Sequence, residues 1–296
     1  MGMPLIPSTF PSVKAANFGS DMPMGRTGEP NWRGIQPRSK ERARMSPQGS
    51  QLKFRWADAM SEAEWTIYRR AIQAVRNANI PFLLGGGFAL ATFTGRWRDT
   101  KDIDFYVMPQ ARAAAVSALR RAGFKDYYKR RPYDRRWIYR SVRSDVIVDI
   151  IWSMANRRAR VDKLWFDRAQ PVLVRGEELR VVPMEEFIWC KLYILQRDHC
   201  DWTDIFNLLC SSGPQVNWKH LIERLKQDTP LLIAALHVYT WLCPGCAAQL
   251  PKNLWQRLGM RRPPGEDPRV LLRRVRYLDS RAWFASLQPV HKKLEV

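Results

Sequence analysis

Apolar residues recur at helical spacing over residues 61–80, where Trp65, Tyr68, Ile72 and Val75 share one face. Ser61 precedes them with Glu64 three positions on, the pattern of a capping box, and Pro81 marks the exit. The period then changes. Residues 82–84 form a short apolar run that breaks into three glycines, 88–93 suit a short helix, and 103–108 read as a strand. A helix over 110–122 stops at Gly123. Two hairpins follow. One runs from 137–142 into 146–152 around Arg143, Ser144 and Asp145; the other runs from 172–174 into 179–182 around Gly176. From residue 184 nearly every signal is helical, with helices predicted over 184–198, 202–211, 218–226 and 231–242 and one or two more before the terminus.

The pattern predicts an α+β chain: a small mixed sheet with flanking helices, followed by a helical C-terminal region. Three segments are expected: a disordered basic N-terminal arm over 1–52, an α/β domain over 53–183 and a helical domain over 184–296. The arm is rich in Pro, Gly, Ser and Met and has no core-forming period. The longest apolar stretch, 231–243, is about 13 residues long and holds His237 and Thr240, too short to span a bilayer. No membrane association is expected.

Charge changes the picture most. The chain of 296 residues has a formal net charge of +21, which favours a polyanionic partner such as nucleic acid. Residues 120–143 hold ten Lys or Arg against two Asp, with Tyr127, Tyr128, Tyr133, Trp137 and Tyr139 interleaved. Cations for phosphate and rings for stacking suit RNA, and Arg130, Arg131, Arg135 and Arg136 are the candidate contacts. The alternative is that the rings are hairpin core. Arginines between 269 and 276 form a second basic cluster, with apolar residues between them. Five cysteines, an odd count, fit a reducing cytoplasm. Cys243 and Cys246 form one CxxC with His237 as the only nearby further ligand, and Cys190, Cys200 and Cys210 read as core or surface thiols.

Against that basic background stands the stretch FLLGGGFALATFTGRWRDTKDIDFYV, residues 82–107. Asp102 and Asp104 are two apart on a strand, so both carboxylates leave one face while Ile103 and Phe105 enter the core. Two acids on one face repel, and hard divalent cations such as Mg2+ (or Mn2+) prefer such oxygen ligands. A glycine turn brings backbone N–H groups close to a phosphate, and the helix after it aims its N-terminus at the same anion. Neither a Walker loop nor a GxGxxG fingerprint is present.

Gly-Gly, a short helix and Asp-x-Asp in a strand resemble the polymerase-β-like nucleotidyltransferase superfamily. Gly86, Gly87, Ala89, Arg98, Thr100, Asp102 and Asp104 extend the likeness to bacterial minimal nucleotidyltransferases, including those of abortive-infection toxin–antitoxin systems. The resemblance covers roughly residues 60–212. It implies a small nucleotidyltransferase sheet, an NTP substrate, a divalent metal held by Asp102, Asp104 and a third acid, and nucleotide contacts from Gly86, Gly87, Arg98 and Thr100. The third acid is Asp149, embedded between apolar strand residues, and Asp145 at the turn is the alternative. In residues 181–209 the resemblance singles out Lys191, Arg197, Asp201 and Asp204, with Lys191 toward the triphosphate and Arg197 toward nucleotide phosphate or Asp201. Helix-surface charge and an Asp201 cap are the plainer alternative.

The implied activity is metal-dependent transfer of an NMP from an NTP to a hydroxyl, with RNA as acceptor and a tRNA 3′ end as one candidate. Two other readings stand beside it: a catalytically silent RNA-binding or antitoxin-like module, and a small-molecule nucleotidyltransferase. Intact acids oppose the first. The charge opposes the second, because aminoglycoside acceptors are themselves cationic.

Overall fold

The computed structural model describes residues 55–98, 100, 102–196 and 199–265, together with Arg274 and Tyr277. The N-terminal arm, Arg197 and most of the 269–276 cluster lie outside the described residues, which all belong to the unit Gly49–Val296.

Helix α1 (Glu62–Asn77) opens on the expected capping box, with Ser61 and Glu64 bonded reciprocally, and buries Trp65, Tyr68, Ile72 and Val75. Strand β1 (Phe82–Leu84) runs into α2 (Gly86–Thr94), which starts within the glycines, two residues earlier than the apolar pattern implied. Then come β2 (Asp102–Val107), α3 (Arg112–Arg121) and a two-residue strand β3 (Lys125–Asp126). The hairpin β4 (Ile138–Arg143) and β5 (Val146–Ile151) turns at Ser144 and Asp145, both at positive φ. A short α4 (Lys163–Asp167) leads to the second hairpin, β6 (Gln170–Val174) and β7 (Glu177–Val181). The helical region comprises α5 (Met184–Leu192), α6 (Trp202–Ser212), α7 (Trp218–Leu225), α8 (Thr229–Leu242), α9 (Pro244–Ala247) and α10 (Lys252–Arg257).

The strands form one mixed sheet in the order β3-β4-β5-β2-β1-β7-β6. β2 lies parallel to β5 and antiparallel to β1, and β1 is parallel to β7. Alternation along β2 sends Ile103, Phe105 and Val107 to a fully buried face, in the core that also holds Tyr68, Ile72, Ala115 and Leu119 of α1 and α3. The opposite face carries Asp102, Asp104 and Tyr106, and α5 borders the cavity there. The fold class is thus the expected one.

One expected element is shorter. The helix predicted over 184–198 ends at Leu192, and the chain folds back through a bridge between Leu195 and Cys200. Asp201 N–H donates to Ile194 O at 3.0 Å, which returns Asp201 to Lys191. Apolar periodicity continues through Ile194 and Leu195, but tertiary ion pairing sets the break. Among the described residues no helix is long and apolar enough to cross a membrane.

Candidate active site

Strand register assembles the carboxylates. Asp104 of β2 stands opposite Asp149 of β5, and Asp102 opposite Ile147. One oxygen from each of Asp102, Asp104 and Asp149 lies within 4.8 Å of the others. Asp145, the alternative third acid, projects from the turn with its side chain 94% exposed and pairs with Arg130 at 3.5 Å.

The glycine turn is shaped around these acids. Gly86 has φ +48°, and a Cβ there would fall 1.8 Å from Asp104 Oδ2. A Cβ on Gly85 would fall 2.1 Å from the Tyr106 ring, and Gly85 N–H donates to Asp104 O at 3.0 Å. The first N–H groups of α2 have no partner within the helix, and Gly86 and Gly87 line a cavity of about 640 Å³. The same cavity is lined by Arg98, Thr100, Asp102, Asp104, Arg140, Asp149 and Lys191. Thr100 donates its hydroxyl to the Asp102 carboxylate, and Tyr68 O–H donates to Thr100 O at 3.3 Å.

Charge within the site is unevenly balanced. Arg140, opposite Asp149 in the β4–β5 register, grips it in bidentate fashion through one guanidinium edge, Nε to Oδ1 at 2.9 Å and Nη2 to Oδ2 at 2.6 Å. Burial nevertheless raises the Asp149 carboxyl to about 6, against the pull of Arg140. Asp104 is pushed well above the ordinary carboxylate range, first by burial and then by Asp102 and Asp149; Lys191 and Arg140 offset this only in part.

Lys191 belongs to a second network. It pairs with Asp201 and lies 2.9 Å from Asp204 Oδ2, and Arg98 Nη1 reaches Asp204 Oδ1 at 2.7 Å. His199 Nε2 lies 2.7 Å from Asp201 Oδ1. Asp201 does stand at the N-cap of α6, but its side chain makes no capping hydrogen bond, because Lys191 and His199 take its oxygens. The cap reading is thereby corrected.

The basic segment divides. Arg140 turns inward to Asp149, a role that treating residues 120–143 as one surface cluster missed. Counting back from the Ser144–Asp145 turn would have found it, since 143 pairs with 146 and 140 with 149. Arg131 lines a recess with Tyr127, Tyr133, Arg140, Gln196 and His199. Arg135 and Arg136 border a separate cavity with Arg112, Arg120, Tyr139 and Trp152. Arg130, Arg135 and Arg136 are exposed and paired with Asp145, Asp126 and Asp134. Of the interleaved rings, Tyr139 is core at 6% exposure, while Tyr128 is 39% exposed beneath the Arg135 guanidinium.

A family described as uncharacterised nucleotidyltransferase matches residues 50–243. The chain belongs to that family and is a nucleotidyltransferase, an enzyme of NMP transfer. No curated protein matches it. Among solved structures, the antibiotic-resistance factor ANT(2″)-Ia is similar at 17% identity and a TM-score of 0.42, over 61% of this chain and 98% of its own. The lincomycin-bound lincosamide antibiotic adenylyltransferase LnuA matches at 16% identity and 0.37, over 50% and 96%. JHP933 from Helicobacter pylori matches at 18% identity and 0.35, over 62% and 83%.

Proposed function

We propose that the protein transfers an NMP from an NTP to a hydroxyl of an RNA acceptor in the cytoplasm, with Asp102, Asp104 and Asp149 holding Mg2+ or Mn2+. The observation that carries the reading is the carboxylate cluster set against the glycine turn. The donor set fits a hard divalent cation: all oxygen, clustered, and under-compensated, as the raised Asp104 carboxyl testifies. Asp149 Oδ1 keeps a lone pair beyond its bond to Arg140. When bound, the metal supplies Lewis-acid polarisation of the phosphoryl oxygens.

The remaining roles belong to the chain's own groups. Backbone N–H groups at Gly86 and Gly87 cradle phosphate oxygens at the start of α2. Arg98 and Lys191, already turned toward the cavity, offset triphosphate charge, and Thr100 orients Asp102 through its hydroxyl. The acceptor oxygen forms a bond to the α-phosphorus, the bond to the bridging β-phosphate oxygen breaks, and pyrophosphate leaves. The acceptor proton passes to Asp149, which stands opposite Asp104 and lines the same cavity. The recess lined by Arg131 shares Arg140, Gln196 and His199 with the carboxylate cavity, which offers an acceptor strand a basic approach. The surface ion pairs of Arg130, Arg135 and Arg136 are weak enough to exchange for phosphate.

Purified protein incubated with each labelled NTP and total RNA tests the reading. The expected outcome is labelled RNA in magnesium and none in chelator. RNA affinity should fall with salt at roughly −0.7 in log–log slope per phosphate neutralised. Replacing Arg130, Arg131, Arg135 and Arg136 by Ala should flatten that slope and leave NTP binding intact. Lost NTP affinity with RNA affinity kept would move those arginines onto the triphosphate. Failure of the wild type to bind RNA at about 100 mM salt overturns the RNA acceptor. A labelled protein or small molecule in its place would identify the true acceptor class, and a tRNA product would fit a toxin-like role.

A further inference from the structure

Away from the carboxylates, three cysteines converge. Cys210 lies near the C-terminal end of α6, Cys243 ends α8, and Cys246 sits within α9. Their sulfurs all lie within 4.8 Å of one another. Sequence spacing offers only His237 as a nearby candidate beside the CxxC pair and reads Cys210 as a core or surface thiol. The fold reverses this, since helix packing carries Cys210 to the pair from a different helix and His237 is exposed.

We propose that Cys210, Cys243 and Cys246 form a zinc site, with a water in the fourth position. Tetrahedral zinc holds thiolates at about 2.3 Å, hence roughly 3.8 Å from each other, a spacing compatible with three sulfurs all within 4.8 Å. Thiolates select soft or borderline cations over magnesium, which separates this site chemically from the carboxylate cluster. Binding releases the three thiol protons to solvent. Tyr239, fully buried on α8, donates its hydroxyl to Cys210 Sγ at 3.5 Å, an outer hydrogen bond of the kind that orients a thiolate ligand. A Cys243–Cys246 disulfide would account for two sulfurs and leave the third, held beside them by another helix, without a role.

The consequence reaches the nucleotidyl-transfer site. Helix α6 begins at the Asp201 and Asp204 network with Lys191 and Arg98, and Cys210 lies near its other end. Zinc would tie that helix to the α8–α9 junction and stiffen the element that presents both acids.

Full-length protein, purified in reductant without chelator, should carry about one zinc per chain by elemental mass spectrometry. Cys210→Ser and Cys246→Ser should each lose most of it, whereas Asp104→Asn should keep it. Cobalt substitution should give thiolate-to-metal charge-transfer absorption. A zinc-free wild type overturns the site, as does zinc retained in both serine variants or an intact mass showing a Cys243–Cys246 disulfide under reductant. If the serine variants fail to fold, the wild type decides. Blocking its thiols with a mercurial should release zinc in step with about three modified cysteines, and release without thiol modification overturns the proposal.

Discussion

Two carboxylates on one sheet lead opposite lives. Glu177, at the start of β7, is 8% exposed and ringed by donors: Arg69 at 2.9 Å, Arg76, and Gln73 at 3.3 Å. Burial pushes its carboxyl up, but the hydrogen bonds from Arg69 and Arg76 outweigh that and hold it below the ordinary range. Asp104 is half-buried and faces two other acids, and its carboxyl is driven up. Glu186, fully buried, receives both His220 and Arg224 on Oε1, while its Oε2 has no hydrogen-bond partner. Burial alone therefore does not distinguish a working acid from a structural one. The difference lies in compensation: the chain satisfies Glu177 internally, whereas Asp102, Asp104 and Asp149 face one another.

The strongest way to break this contrast is to neutralise one acid of each kind. Asp104→Asn should abolish most NMP transfer, a loss of about 4 kcal/mol or roughly a thousandfold in rate. Its melting temperature in chelator should stay level or rise, because a repulsive charge has gone. Glu177→Gln should do the reverse and melt earlier, by about 2 kcal/mol, since it strips two arginines of their partner. Its folded fraction should keep full activity. Activity loss in Glu177→Gln without unfolding would erase the distinction.

A second contrast separates two glycines at positive φ. Gly86 and Gly176 both have left-handed backbones, but only at Gly86 would a Cβ strike anything, namely the Asp104 carboxylate. Gly176→Ala should cost about 1 kcal/mol of stability through backbone strain alone, with rate unchanged. Gly86→Ala should in addition displace Asp104 and reduce turnover by about a hundredfold, since small misplacements of this order suffice. Equal rates in the two variants would show that the close approach of turn and acid is not what the site depends on.

Much of this arrangement is legible along the chain. Strict alternation in β2 puts Asp102 and Asp104 on one face, and an acid amid apolar neighbours marks Asp149. The glycines announce the close approach before any coordinates are known. Arg140 was one step away: a three-residue turn at 143–145 sets it opposite residue 148, whereas the two-residue turn at Ser144 and Asp145 sets it opposite Asp149. The rest is tertiary. Apolar residues run on past Leu192, so nothing local ends α5 or folds Asp201 back onto Lys191. Local spacing likewise cannot bring Cys210 to Cys243 and Cys246. Alternation and turns are written over a few residues; ion pairs and thiol clusters depend on how distant helices dock.

The finest test of the contrast uses pH, because the two kinds of acid should respond with opposite sign. Burial lifts Asp149 to about 6 in the folded chain, above an unfolded aspartate near 3.9. Between those values the folded state binds more protons than the unfolded one, so its stability falls as pH rises through that window. Glu177 is shifted downward, so the folded state binds fewer protons there, and its contribution is present above about 4.3 and lost on acidification. Melting in chelator, with each wild-type value set against its own amide variant, isolates the two groups. From pH 7 to 5 the wild type should gain about 1–2 kcal/mol on Asp149→Asn. Over that range its lead over Glu177→Gln should hold steady, then shrink below about pH 4.3. Saturating magnesium should abolish the first trend, since a bound cation keeps the carboxylates ionised, and leave the second untouched. Parallel trends for both acids would mean that Asp149 is a fully compensated structural residue, with Arg140 as its permanent partner.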